Sequence, residues 1–242
     1  MIHQLKAFVV LAAVAAVAPM PAHAVVNDNE DSRVMIMADF NRDGIADMAE
    51  ALPGNGSEPS ILKVSLGDAT GGFHPVSSAP ELGRAPKAIA AADFNGDGVP
   101  DLIVGDDDGT LRLFLGDGTG NLIPSGDVAR LDSVVSIAVA DFNGDGKPDL
   151  AISDWRAGAV TIFLGTGKGA FQTGWSFRLR TPGTVARVSA ADFNGDGVPD
   201  LAVVYGDDDQ YAFDVMLGDG KGVFVHSPEL SFTRDPNSHC PA

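Results

Sequence analysis

The 242-residue chain carries one cysteine, Cys240, so no disulfide can form within it. Basic residues are scarce: 16 Lys and Arg stand against 33 Asp and Glu, for a formal net charge of −17. That imbalance argues against nucleic acid and anionic membrane surfaces as partners and points to cations. Histidines number five, of which His3 and His23 fall in the N-terminal segment while His74, His226 and His239 are scattered. Neither G-x-S-x-G nor H-E-x-x-H occurs, so neither a nucleophile elbow nor a zinc helix can be placed. Beyond the first two dozen residues no run approaches the roughly 18 apolar residues that a membrane-spanning helix needs.

What is present begins with a leader. Lys6, an apolar run from Ala7 to Ala18 and the small-x-small end Ala22-His23-Ala24 read as a secretory signal peptide at residues 1–24, cleaved after Ala24. The expected product, residues 25–242, is a single secreted or periplasmic domain with no membrane insertion after cleavage. A secreted chain without disulfides needs another clamp or a large core.

The body of the sequence is one unit written four times. An acidic word has its first Asp at residues 39, 93, 141 and 192: ADFNRDGIADM, ADFNGDGVPDL, ADFNGDGKPDL and ADFNGDGVPDL. Between its copies lies a second word: SLGDATGGF (65–73), FLGDGTGNL (114–122), FLGTGKGAF (163–171) and MLGDGKGVF (216–224). The segments between are short, apolar and bounded by Gly, Asp and Pro, as strands and turns are. No sustained helical period follows the leader. Four short strands per unit, four times over, predict an all-β propeller of four four-stranded antiparallel blades, at about 33–75, 87–125, 135–173 and 186–226. The G-x-G-x-G turns lack nucleotide-binding spacing and a following helix, and read as hairpins.

Numbered from its first Asp, the acidic word places oxygen side chains at positions 1, 3, 5 and 9, with Gly at position 6 for a sharp turn. The position 7 carbonyl can add another oxygen. The candidate ligand sets are Asp39, Asn41, Asp43, Ile45 and Asp47; Asp93, Asn95, Asp97, Val99 and Asp101; Asp141, Asn143, Asp145, Lys147 and Asp149; Asp192, Asn194, Asp196, Val198 and Asp200. Six or seven oxygens around a tight loop suit Ca2+, about four ions in all; with no Cys or His in the loop, zinc and copper are poor candidates. Asp, Asn and Gly also build plain turns, but four copies holding every position favour the metal. The EF-hand is excluded because position 12 reads Glu50, Val104, Ile152 and Val203, and an apolar strand starts where a helix should.

D-x-N-x-D-G-x-x-D-L-x-V, preceded by a small apolar strand and followed by V-x-x-x-L-G-x-G-x-G-x-F, resembles the FG-GAP/VCBS repeats, which include the blades of integrin α-subunit propellers. The resemblance covers nearly all of the chain after the leader. It implies that each loop joins the first two strands of a blade and binds calcium through the positions given above. Two features depart from the family pattern: the FG and GAP words are not spelled out, and integrin-type rings have seven blades where four are written here.

Alternating connections place the calcium loops and G-x-G turns on one face of the ring, and the central turns and linkers on the other. Trp155 with Arg156, and Trp175, fall toward that second face. They are either exposed contacts for a protein or glycan ligand, or packing between blades. The function expected is a calcium-stabilised adhesion or ligand-binding module, with no enzymatic activity. Alternatives are the propeller of a carbohydrate-active enzyme such as a polysaccharide lyase, or a purely structural component, since four blades permit a homodimer of eight.

Overall fold

The computed structural model describes residues 23–26, 33–55, 57–76, 80–179, 185–206 and 211–233. Outside them lie residues 1–22 of the expected leader, the acidic run at 207–209, and the tail with His239 and Cys240. In the described residues every regular element is a strand. The first sheet holds β1 (His23–Val26), β2 (Val34–Ala38), β3 (Asp47–Leu52), β4 (Ser60–Gly67), β5 (Phe73–Pro75) and β6 (Glu81–Leu82). The second is β7 (Pro86–Ala92), β8 (Asp101–Asp106), β9 (Thr110–Gly116) and β10 (Leu122–Arg130). The third is β11 (Val134–Ala140), β12 (Asp149–Asp154), β13 (Ala159–Gly165) and β14 (Phe171–Arg178). The fourth is β15 (Val185–Ala191), β16 (Asp200–Gly206), β17 (Tyr211–Gly218) and β18 (Phe224–Thr233).

Each sheet is an antiparallel meander in chain order, the four-blade propeller-like arrangement expected. The first blade departs in two ways. Its outer strand is split, β5 and β6 both pairing with β4, and β1 adds an edge on β2 with Ala24 opposite Ile36 and Val25 opposite Met35. β1 therefore crosses the junction at which the leader is expected to be cut.

Sequence explains why the second strand of a blade is its most buried. Asp101–Asp106 and Asp149–Asp154 are buried along their whole length because sheets cover both faces. A strand covered on both sides must read as a continuous apolar run, and Leu102-Ile103-Val104 and Leu150-Ala151-Ile152 do. Alternate residues then serve opposite neighbours. Leu102 and Val104 join a core with Ile36, Ala49 and Leu62 of the first blade, while Ile103 joins one with Val134 and Leu150 of the third. A third core unites Ala151, Val160 and Ile162 with Leu201, Val203 and Met216. Among the described residues there are thus three joints, each with its own core, made chiefly by β2 on β7, β7 on β11 and β11 on β15.

Phenylalanine at position 2 of the acidic word drives these joints. Phe94 meets Phe171 of the next blade edge to face at 5.6 Å, and Phe142 meets Phe224 at 5.5 Å. Gly169 and Gly222, in the next blade's G-x-G turns, donate N–H bonds to the carbonyls of Phe94 and Phe142. These contacts place acidic loops and G-x-G turns at the same end of the assembly.

Candidate functional site

The acidic loops join β2 to β3, β7 to β8, β11 to β12 and β15 to β16. Position 6 needs a left-handed backbone, and Gly44, Gly98, Gly146 and Gly197 have φ between 79° and 85°. With that turn in place, side-chain oxygens at positions 1, 3 and 5 curl over the loop's own main-chain amides. In the second loop Asp93 Oδ1 accepts from Gly96 N and Asp97 N, and Oδ2 from Gly98 N at 2.8 Å. Asn95 Oδ1 accepts from Asp97 N, its amide donates to Asp97 Oδ2, and Asp97 Oδ1 accepts from Val99 N. The third and fourth loops repeat the first-position pattern through Asp141 and Asp192. In the first loop Arg42, with φ 63°, stands where the others have Gly96, Gly144 and Gly195.

Position 9 is a different kind of residue. Asp47, Asp101, Asp149 and Asp200 are wholly buried. Asp101 Oδ2 accepts from Phe94 N at 2.9 Å and Asn95 N at 3.1 Å, while Oδ1 accepts from Gly116 N at 3.0 Å. Gly67, Gly165 and Gly218 make the same bond to Asp47, Asp149 and Asp200, at 2.7–2.8 Å. Each of these aspartates therefore latches the loop to the third strand of its blade. The close approach also demands glycine, since a Cβ at Gly116 would lie 2.3 Å from Pro100 O. Burial raises the carboxyl of Asp47 and Asp149 above the usual range and pushes Asp101 up to about 6, against the lowering effect of the amide bonds.

The lone-pair inventory tests whether a cation fits. A carboxylate offers about four acceptor sites and an amide oxygen two. In the second loop one site stays open on each of Asp93 Oδ2, Asn95 Oδ1, Asp97 Oδ1, Asp97 Oδ2 and Asp101 Oδ1. The set is all oxygen, which is the chemistry of a hard cation. Among the described residues no three His, Cys, Asp or Glu side chains are drawn together as a finished metal centre. Each carboxylate is instead turned toward an amide, and in the third loop Asp145 Oδ2 also accepts from Lys147 Nζ at 3.0 Å.

The tryptophans part company. Trp155, with Arg156, is exposed on the β12–β13 turn, 40 % of the indole residue being accessible. Trp175 on β14 lies against Phe177 at 5.1 Å and Phe224 at 5.6 Å, so it packs between the third and fourth blades. Sequence reasoning missed two polar clasps that have no local signature. Asp154 accepts from Asp132, Ser133 and Ala157 N–H groups and ties the linker between blades two and three. Asp214 accepts from the Tyr205 hydroxyl at 2.7 Å and lies 3.2 Å from His226 Nε2, within the third joint.

A family model described as FG-GAP-like repeat matches residues 39–104, 93–152 and 141–203. Each match runs from the first Asp of one loop to the strand after the next, so the matched unit spans a blade joint. No curated protein matches the chain.

Proposed function

The chain belongs to the FG-GAP-like repeat family, and from that premise we propose an exported, calcium-stabilised propeller module that serves adhesion or ligand binding. Repeats of this family are typically non-catalytic, and the fold is that of a ligand-binding or structural repeat module. The observation that carries the calcium reading is the same set of unfilled oxygen sites recurring in the loops, beside a latch that holds each loop shut without metal. Positions 1, 3, 5 and 9, with the position 7 carbonyl, would hold the ion; bound there, it would neutralise carboxylates that otherwise repel one another. The position 9 latch holds the loop in this shape before an ion arrives, and its Oδ1 atom keeps one acceptor site for that ion.

Four ions would bring the formal charge from −17 to about −9. At extracellular-type affinities, with Kd of about 10⁻⁴–10⁻³ M, millimolar calcium would add about 1 kcal/mol per loop. Ligand capture is assigned to the face opposite the loops, where Trp155 and Arg156 stand exposed. Calorimetric titration of the metal-stripped protein with Ca2+ tests the reading: about four sites are expected, with Mg2+ much weaker. Absence of binding at millimolar calcium would refute it.

A further inference from the structure

Each of the three joints pairs an outgoing face of one blade with an incoming face of the next, and the two end blades each retain one such face. Among the described residues, the outgoing side of the fourth blade lacks the cover its counterparts have. Phe40, Phe94 and Phe142 are 1–2 % exposed, whereas Phe193, at the same position of the word, is 40 % exposed. A Cβ at Gly96 or Gly144 would lie 3.1 or 3.5 Å from a carbonyl of the next blade, but one at Gly195 would meet nothing within 4 Å. Val204, aligned with Gly105 and the buried Ser153, is 44 % exposed.

The incoming side of the first blade is the matching half. Phe73 occupies the place of Leu122, Phe171 and Phe224, which are covered by the preceding blade's phenylalanine, yet it is 43 % exposed. Gly71 would place a Cβ in open space, where Gly120, Gly169 and Gly222 touch a leucine of the preceding blade. Met35, Met37 and Met48, half-buried, stand where the second blade uses Ile89, Ala91 and Leu102. Methionine surfaces adapt readily to a partner.

Charge agrees with this match. Ser136 bonds Val188 across the third joint; Arg187 holds the Ser136 place on the fourth blade, and Met35 holds the Val188 place on the first. Met35 is the register partner of Glu50, which pairs in turn with Lys63, so repeating the joint sets Arg187 on the Met35 side of Glu50 and away from Lys63. We propose that the fourth blade of one copy docks on the first blade of a second, and the reverse, two copies closing an eight-blade ring through two further joints of the kind already present three times. This inference stands independently of the calcium reading.

Light scattering of the chain between about 1 and 100 µM, with calcium present, tests it. The wild type is expected at twice the chain mass, and Phe193→Asp and Phe73→Asp each at half that value, with unchanged far-ultraviolet circular dichroism because both sites are already exposed. Mixing the two variants is expected to restore a pair, since Phe73 of one and Phe193 of the other still make one intact joint. A wild type that stays monomeric throughout overturns the proposal. So does dissociation by only one of the two variants, which would mark a contact between like faces.

Discussion

Replacing the position 5 aspartates, Asp43, Asp97, Asp145 and Asp196, with asparagine separates metal binding from turn building. All four are exposed, and in each loop Oδ1 accepts from the position 7 N–H, a bond that the asparagine oxygen can keep. In chelator the fourfold variant should match the wild type to within about 1 kcal/mol: it loses exposed bonds of small net worth, among them the surface pair of Asp145 with Lys147, and sheds carboxylate charge from each loop. In about 2 mM calcium the wild type should gain about 1 kcal/mol per loop, about 4 kcal/mol in all, and the variant little of it. For a domain of this size that separates the melting temperatures by about 10 °C. Urea and thermal unfolding in calcium and in EDTA give the comparison. Equal losses in both media would make position 5 a structural residue only, and a wild type indifferent to calcium would remove the metal from the account.

Four further outcomes are expected. Phe94→Ala should lower stability by about 3–5 kcal/mol and Phe193→Ala by less than about 1 kcal/mol when urea curves are taken at sub-micromolar protein; similar losses would mean the fourth blade is covered. Arg112→Met leaves the buried Asp106 without the guanidinium that contacts it, at about 3–5 kcal/mol. Burial, then the neighbouring Asp108, already raises the Asp106 carboxyl, so the unfolded chain releases that proton first; the penalty should therefore be fullest near pH 7 and shrink as pH falls toward 4, and a pH-independent loss would contradict this. Trp155→Ala with Arg156→Ala should abolish capture on a glycan or matrix-protein array at unchanged stability, whereas Trp175→Ala should lower the unfolding midpoint by removing its contacts with Phe177 and Phe224. Mass spectrometry of the exported protein should find Val25 at the N-terminus; retention of residues 1–24 would refute the leader.

Much of this was legible because the chain repeats itself. Four copies of one word fix strand order, and Leu102-Ile103-Val104 announces a strand covered on both faces. Phenylalanine at position 2 was equally visible, in Phe40, Phe94, Phe142 and Phe193, yet its role depends on a partner one blade later that spacing alone does not reveal. Position 9 reads as a ligand because it is acidic and in phase. Its carboxylate is engaged by an amide 15–20 residues further on, a contact set by the hairpin rather than by the word. Trp175 had two placements open from sequence, and only the packing of β14 against Phe224 decides between them.

The position 9 latch also bears on how the chain assembles. It closes between residues of one blade, so a blade can lock as soon as its own fifty or so residues are available, before the next blade is complete. Contacts of such short range favour fast, stepwise folding in which each locked blade templates the next. Assembly then has a direction, each blade offering the face on which the next one folds.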